Sequence, residues 1–367
     1  MTIENLSMAK ALTQGLRQAM LADPKVLLMG EDIGPLGGVF RVTEGLHAEF
    51  GDSRVLDTPL AESGIVGTAI GLAMRGYRPV CEIQFDGFVF PAFDQITTQL
   101  AKLTSRHHGS LSMPVVIRIP FGGHIGAVEH HQESPEAYFA HTAGLRVVTP
   151  SNPHDAYWMI QEAIASDDPV IFFEPKSRYW PKGDVDLSAS GAPLHSTRVV
   201  RPGTEVTLVG YGPMVTMLLQ AAEIAQSEGT SVEVVDLRSI SPIDYDPLIA
   251  SVQKTGRLVV AHEAGQQGGV GAEIAGLEGR VGHRRAGVPP LDHGEEQVGI
   301  GVALRRVQHV VQPGHRRGDA HRADMRGALV GPEGELHRLR PPAGRGASAG
   351  AQTVRRGLRP GRSPGSG

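Results

Sequence analysis

Residues 57–93 read DTPLAESGIVGTAIGLAMRGYRPVCEIQFDGFVFPAF, and the fold turns on this stretch. The pattern predicts a short strand over 54–57 and a turn at Thr58 and Pro59. One acid, Glu62, then opens a helix over 63–75 built almost wholly of Gly, Ala, Ile, Val, Leu and Met. Gly67 and Gly71 lie four apart on one face of it, where another backbone can approach closely. A second strand is expected over 79–85, delivering Gln84 and then an aromatic run, Phe85, Phe88, Phe90 and Phe93. A carboxylate where a strand ends and an apolar helix begins is expected to be buried, and burial raises a carboxyl pKa by up to several units. Such a group shares a proton with a heterocyclic nitrogen near neutral pH, and the phenylalanines are suited to hold a flat ring. The residues alone equally allow Glu62 to cap the helix through first-turn amides, with the phenylalanines as core.

Outward from this stretch, strand and helix signals alternate. Strands are expected over 26–29, 114–119, 145–149 and 169–173, and helices over 7–21, 91–107 and 153–165. Ser7 is a candidate N-cap and Pro91 sits in a first turn, where a missing N–H costs nothing. The Gly-rich loop over 34–38 is not a dinucleotide fingerprint. A stretch rich in Pro, Gly and Ser over 181–203 reads as a linker. A second unit follows over 204–275, with strands expected over 205–211, 231–238 and 257–262 and helices between them. The alternation gives an α/β fold: an N-terminal doubly wound, mostly parallel sheet over 1–180, plus a smaller C-terminal α/β domain. Such sheets bind ligands at the carboxyl ends of their strands, where Glu62, Gln84 and the loop from His124 to His131 all fall.

The chain has 367 residues, enough for two domains with their own cores. A single cysteine, Cys81, makes no internal disulfide and suits a reducing cytoplasm, the expected location. No apolar run reaches 18 residues, so no membrane span is expected, and the first residues lack a signal-peptide core.

The stretch 57–64, DTPLAESG, followed by Glu82-Ile83-Gln84-Phe85 and Phe90-Pro91-Ala92-Phe93-Asp94-Gln95, resembles the β subunit of the decarboxylating component of 2-oxo acid dehydrogenase complexes. The likeness continues through Gly122-Gly123-His124, residues 131–137 (HQESPEA), Leu145-Arg146-Val147-Val148 and residues 172–176 (FFEPK), and covers about residues 5–275. It implies a pyrimidine-binding domain and thiamine diphosphate as cofactor. By that resemblance Glu62 is the carboxyl group that meets the aminopyrimidine ring nitrogen. Leu60 and Gln84 match positions lining the pocket, and Phe88 matches an aromatic that stacks on the ring (often Tyr in relatives, so only stacking carries over). His131 matches a histidine that points at the cofactor and serves acyl transfer to a lipoyl arm. The plain alternatives are a strand residue satisfied by backbone for Gln84 and simple core for Phe88.

No Gly-Asp-Gly with a following Asn ligand occurs at the required spacing, and the resemblance implies that diphosphate and Mg²⁺ are held by a partner α subunit. The resemblance implies two α and two β chains and a lipoyl acyltransferase core as further partner. The cluster His124, Glu129, His130, His131 and Glu133 matches no zinc spacing and is not read as a metal site. Ser134-Pro135-Glu136-Ala137 looks most like the branched-chain enzymes, which makes a branched-chain 2-oxo acid the expected substrate and pyruvate or acetoin the alternative.

After Ala275 the pattern fails. Residues 276–367 contain no Phe, Tyr, Trp, Lys or Asn, a single Ile, and 16 arginines against 8 acids, a net of +8 that leaves −12 for the rest. This Arg/Gly/Pro-rich tail has too few large apolar side chains to offset its conformational entropy. It is read as the product of a frameshift near codon 276, which would leave the C-terminal domain incomplete and the chain in danger of being a non-catalytic remnant. The alternative is a basic segment for an anionic partner, with nucleic acid not expected.

Overall fold

A computed structural model describes residues 2–189 and 191–276. Apart from Gly276, the Arg/Gly/Pro-rich stretch lies outside the described residues. The first half runs β1 (Ile3–Ser7), α1 (Met8–Ala22), β2 (Val26–Gly30), α2 (Leu46–Phe50), β3 (Val55–Asp57), α3 (Glu62–Met74), β4 (Arg78–Glu82), α4 (Ala101–Arg106), β5 (Val116–Phe121), α5 (Glu136–Ala140), β6 (Arg146–Val148), α6 (Pro153–Ala165) and β7 (Val170–Pro175). The second half adds β8 (Lys182–Asp186), β9 (Arg198–Arg201), β10 (Val206–Gly210), α7 (Met214–Ser227), β11 (Val232–Asp236), β12 (Ser239–Ser241), α8 (Tyr245–Thr255), β13 (Leu258–Val260) and α9 (Val270–Ala275).

Seven strands form the main sheet in the order β12-β6-β7-β5-β4-β2-β3, parallel throughout except for β12. Both faces are covered, as all-parallel sheets require. On β5, Ile117 and Ile119 join one apolar cluster with Ile65, Val66 and Phe173. Val116 points the other way, into a cluster with Leu12, Leu16, Ile160 and Phe172. A smaller sheet, β13-β10-β11-β9, carries the second α/β unit.

The N-terminal helix begins as read: Ser7 Oγ accepts from the Lys10 amide at 3.3 Å, and Met8, Leu12, Leu16 and Met20 form its buried stripe. Three readings change. Residues 181–203 are not a bare linker. β8 pairs antiparallel with β1, and β9 edges the second sheet. β12 leaves the second unit and completes the edge of the first sheet, so the two units are stitched by backbone hydrogen bonds. The expected helix over 91–107 is a succession: a 3-10 stretch (Asp86–Ala92), a π-helical stretch (Gln95–Leu100) and α4. A proline inside the first piece excludes regular α-helical bonding there. Among the described residues no helix is long and apolar enough to cross a membrane.

Candidate active site

Strands β2, β3, β4, β5 and β7 run the same way, and their carboxyl ends deliver Glu31, the turn to Glu62, Gln84, the 122–135 loop and Lys176 to one edge of the sheet. Glu62 opens α3 and is only 7 % exposed. No side-chain cap closes that helix, and among the described residues the Glu62 carboxylate makes no hydrogen bond. The capping reading therefore has no bond to rest on. Glu31, equally buried, stands close enough to feel its charge: burial first, then the charges of Glu62 and Asp32, push the Glu31 carboxyl up. Gln84 leaves the end of β4 and aims its amide at Asp32 Oδ2, 3.2 Å away. Leu60 is 79 % exposed two residues before Glu62.

The second part of the site is aromatic. The His131 ring lies 4.6 Å from Phe85 and 5.1 Å from Phe88 between centroids, at 75° to each. Phe85 and Phe88 meet edge to face at 5.7 Å. The segment 84–88 thus joins two groups, the acids with Gln84 on one side and the phenylalanines with His131 on the other. His124 is turned elsewhere. Its backbone is left-handed (φ 68°), and its Nε2 lies 3.2 Å from Glu263 Oε1, in the second α/β unit. Gly122 is also left-handed (φ 83°), a conformation that disfavours any side chain, and a Cβ there would push the Glu263 carboxylate aside.

Beside the site, Tyr211 donates its hydroxyl to Glu136 Oε1 at 2.7 Å, across the boundary between the two units. Burial pushes the Glu136 carboxyl up to about 7, Tyr211 pulls against it, and the charges of Glu263 and Asp86 add to the rise. The Ser134-Pro135-Glu136-Ala137 stretch therefore has a structural task, closing the first unit on the second.

Sequence reasoning missed Glu31, Asp86 and Lys176. A signal existed for Asp86, a lone charge inside an apolar run, since a buried charge requires a partner. Glu31 sat in the Gly30-Glu31-Asp32 loop with nothing local to mark it.

The carboxyl edge of the parallel sheet thus carries a buried acid without a hydrogen-bond partner among the described residues, Glu62, and an aromatic group of Phe85, Phe88 and His131. The family model described as "Transketolase, pyrimidine binding domain" matches residues 4–181, and that described as "Transketolase, C-terminal domain" matches residues 195–291. A solved split-gene transketolase in an inactive β4 tetramer superposes with a TM-score of 0.64 at 23 % identity, over 76 % of this chain and 86 % of that one, which speaks for the fold alone. The chain is 73 % identical over 277 residues to the pyruvate dehydrogenase E1 component subunit beta of Leifsonia xyli subsp. xyli (76 % of this chain, 82 % of that protein). It is 53 % identical over 273 residues to the 3-methyl-2-oxobutanoate dehydrogenase subunit beta of Mycobacterium tuberculosis (74 % and 78 %). The chain belongs to the E1 β subunits of 2-oxo acid dehydrogenases.

Proposed function

We propose that this chain is the β subunit of a pyruvate dehydrogenase E1 component, acting with an α subunit in the oxidative decarboxylation of pyruvate and acyl transfer to the lipoyl group of an acyltransferase core. The observation that carries the substrate is the 73 % identity to a pyruvate-type relative against 53 % to a branched-chain one. The branched-chain expectation rested on residues 134–137, whose Glu136 accepts from the Tyr211 hydroxyl.

The residues present suit thiamine diphosphate. Glu62 is buried and unpartnered, Phe88 keeps part of its ring open, and Leu60 is uncovered. When bound, that cofactor supplies a nucleophilic carbon that adds to the 2-oxo group. Glu62 would hold a proton on the aminopyrimidine nitrogen, and the neighbouring Glu31 carboxyl, pushed up by burial, would limit the pair's total charge. Gln84 would donate to the ring's polar edge, Leu60 and Phe88 would fix its plane, and His131 would move a proton at the substrate oxygen. Diphosphate and Mg²⁺ would fall to the α subunit, in a tetramer of two α and two β chains. The uncovered face of α3, with nothing within 4 Å of a Cβ built on Gly67 or Gly71, offers a place for another helix.

Residues 1–180 serve as the pyrimidine-binding domain and 204–275 as the subunit-contact domain. The frameshift near codon 276 remains our reading of the tail, supported by an alignment of 277 residues with the Leifsonia protein. Resequencing the gene tests it; the absence of any family-like continuation in the other frames removes it. For the function, the chain is coexpressed with its α subunit and assayed on pyruvate and 3-methyl-2-oxobutanoate. Preference for pyruvate, lost in Glu62→Gln, is the expected result. Preference for the branched acid restores the other substrate, and failure to bind the α subunit favours an inactive remnant.

A further inference from the structure

Gln84 and Phe85 are followed by Asp86, which is fully buried. Its Oδ1 accepts from Lys176 Nζ at 2.8 Å, and Lys176, just past the end of β7, is 1 % exposed. The same ammonium donates to the backbone carbonyl of His131, and it stands 5.6 Å from the Phe85 ring centroid. The amide of Glu133 faces the Asp86 carboxylate and favours its charged form, although Oδ2 closes no hydrogen bond. The ion pair therefore holds the loop at the His131 carbonyl. Gly87 allows this closeness, because a Cβ there would lie 2.2 Å from the His130 carbonyl oxygen.

A buried ion pair is a poor way to gain stability, since the desolvation of both charges largely cancels their attraction. It is a good way to fix a backbone segment in one place. We infer that Asp86 and Lys176 are positioning residues for His131: they tie the loop that carries it to the wall formed by Phe85 and Phe88, and so set where the imidazole stands. The inference rests on the reading of His131 as a proton-transfer group given above.

The test compares Lys176→Met, the double variant Asp86→Asn with Lys176→Met, and His131→Ala, each as full chain bound to its α subunit. Lys176→Met leaves Asp86 without its cation, and its melting temperature falls. The double variant leaves no orphan charge and recovers most of that loss. Its 124–133 amides nevertheless exchange hydrogen about tenfold faster than in wild type. Its kcat is about 10- to 100-fold lower, with KM within about twofold. Recovery of wild-type exchange and kcat together with stability overturns the inference and leaves a structural ion pair. His131→Ala is expected to lose kcat while its loop exchanges as in wild type. Full activity in that variant sinks the role given to His131, while the exchange data still report on the grip.

Discussion

Glu82 and Glu174 flank Arg118 on one face of the main sheet, whereas Glu31 and Glu62 sit at its carboxyl edge, and both pairs are buried. Arg118 donates to Glu82 at 2.6 Å and to both oxygens of Glu174 at 2.6 and 2.9 Å, and the Tyr179 hydroxyl adds a bond to Glu174 at 2.6 Å. Burial pulls the Arg118 guanidinium down, but the charges of Glu174 and Glu82 outweigh it and hold it above its ordinary value. At the edge, no cation answers the acids among the described residues: Glu31 faces the like charges of Glu62 and Asp32. The Arg118 cluster is balanced by opposite charge, whereas the edge acids are not, which is the contrast our proposed role for Glu62 predicts.

The sharpest way to break this comparison is Arg118→Leu. Two buried carboxylates lose their partner, and removal of one member of such a network costs about 3–5 kcal/mol. Urea denaturation of the full chain measures it, and a loss under about 1 kcal/mol would mean that water reaches the site and the contrast is false. Glu62→Gln is the opposite case. We expect activity to fall about 10²- to 10⁴-fold in the α-bound enzyme, while the melting temperature stays level or rises as Glu31 loses a like-charged neighbour. A variant that unfolds like Arg118→Leu would show Glu62 to be structural.

Glu136 lies between the extremes, buried with a neutral donor only. Its folded pKa, about 7, stands above the unfolded value near 4.3, so the folded state binds this proton more tightly. The stability it contributes is present at low pH and is lost as the pH rises from about 4 through 7. Glu136→Gln keeps an oxygen for Tyr211 and has no proton to lose. Its unfolding free energy should therefore fall less than that of wild type between pH 5 and 8, by up to roughly 2 kcal/mol. Parallel curves for the two proteins would place the carboxylate in contact with water.

Much of the frame was legible in the sequence, for reasons these residues illustrate. The alternation of strand and helix, the Ser7 cap and the placing of Glu62 at a strand-to-helix junction are local, carried by neighbours in the chain. The ion pairs are not local: Asp86 and Lys176 are 90 residues apart, Arg118 and Glu174 are 56. One-dimensional patterning marks Asp86 as a charge out of place and cannot say which partner any of them meets. β12 escaped because three residues, Ser239–Ser241, are too few to show a period, and what holds them is the edge of β6. Glu31 escaped because its significance is its distance from Glu62, a property of two adjacent strand ends.

The smallest effect belongs to a carboxylate that never leaves water. Glu44 pairs with Lys10 on the surface, both side chains about half exposed. The bond to Lys10 and its charge lower the Glu44 pKa, so by geometry alone the pair resembles those of Arg118. Yet both ions keep their hydration, salt screens their attraction, and holding two long side chains in one geometry costs entropy. Lys10→Met should leave the denaturation midpoint unchanged within error at physiological salt. A clear loss would mean that short distance, rather than burial, sets the strength of these contacts. The silence of Glu62 toward its own chain would then no longer mark it out.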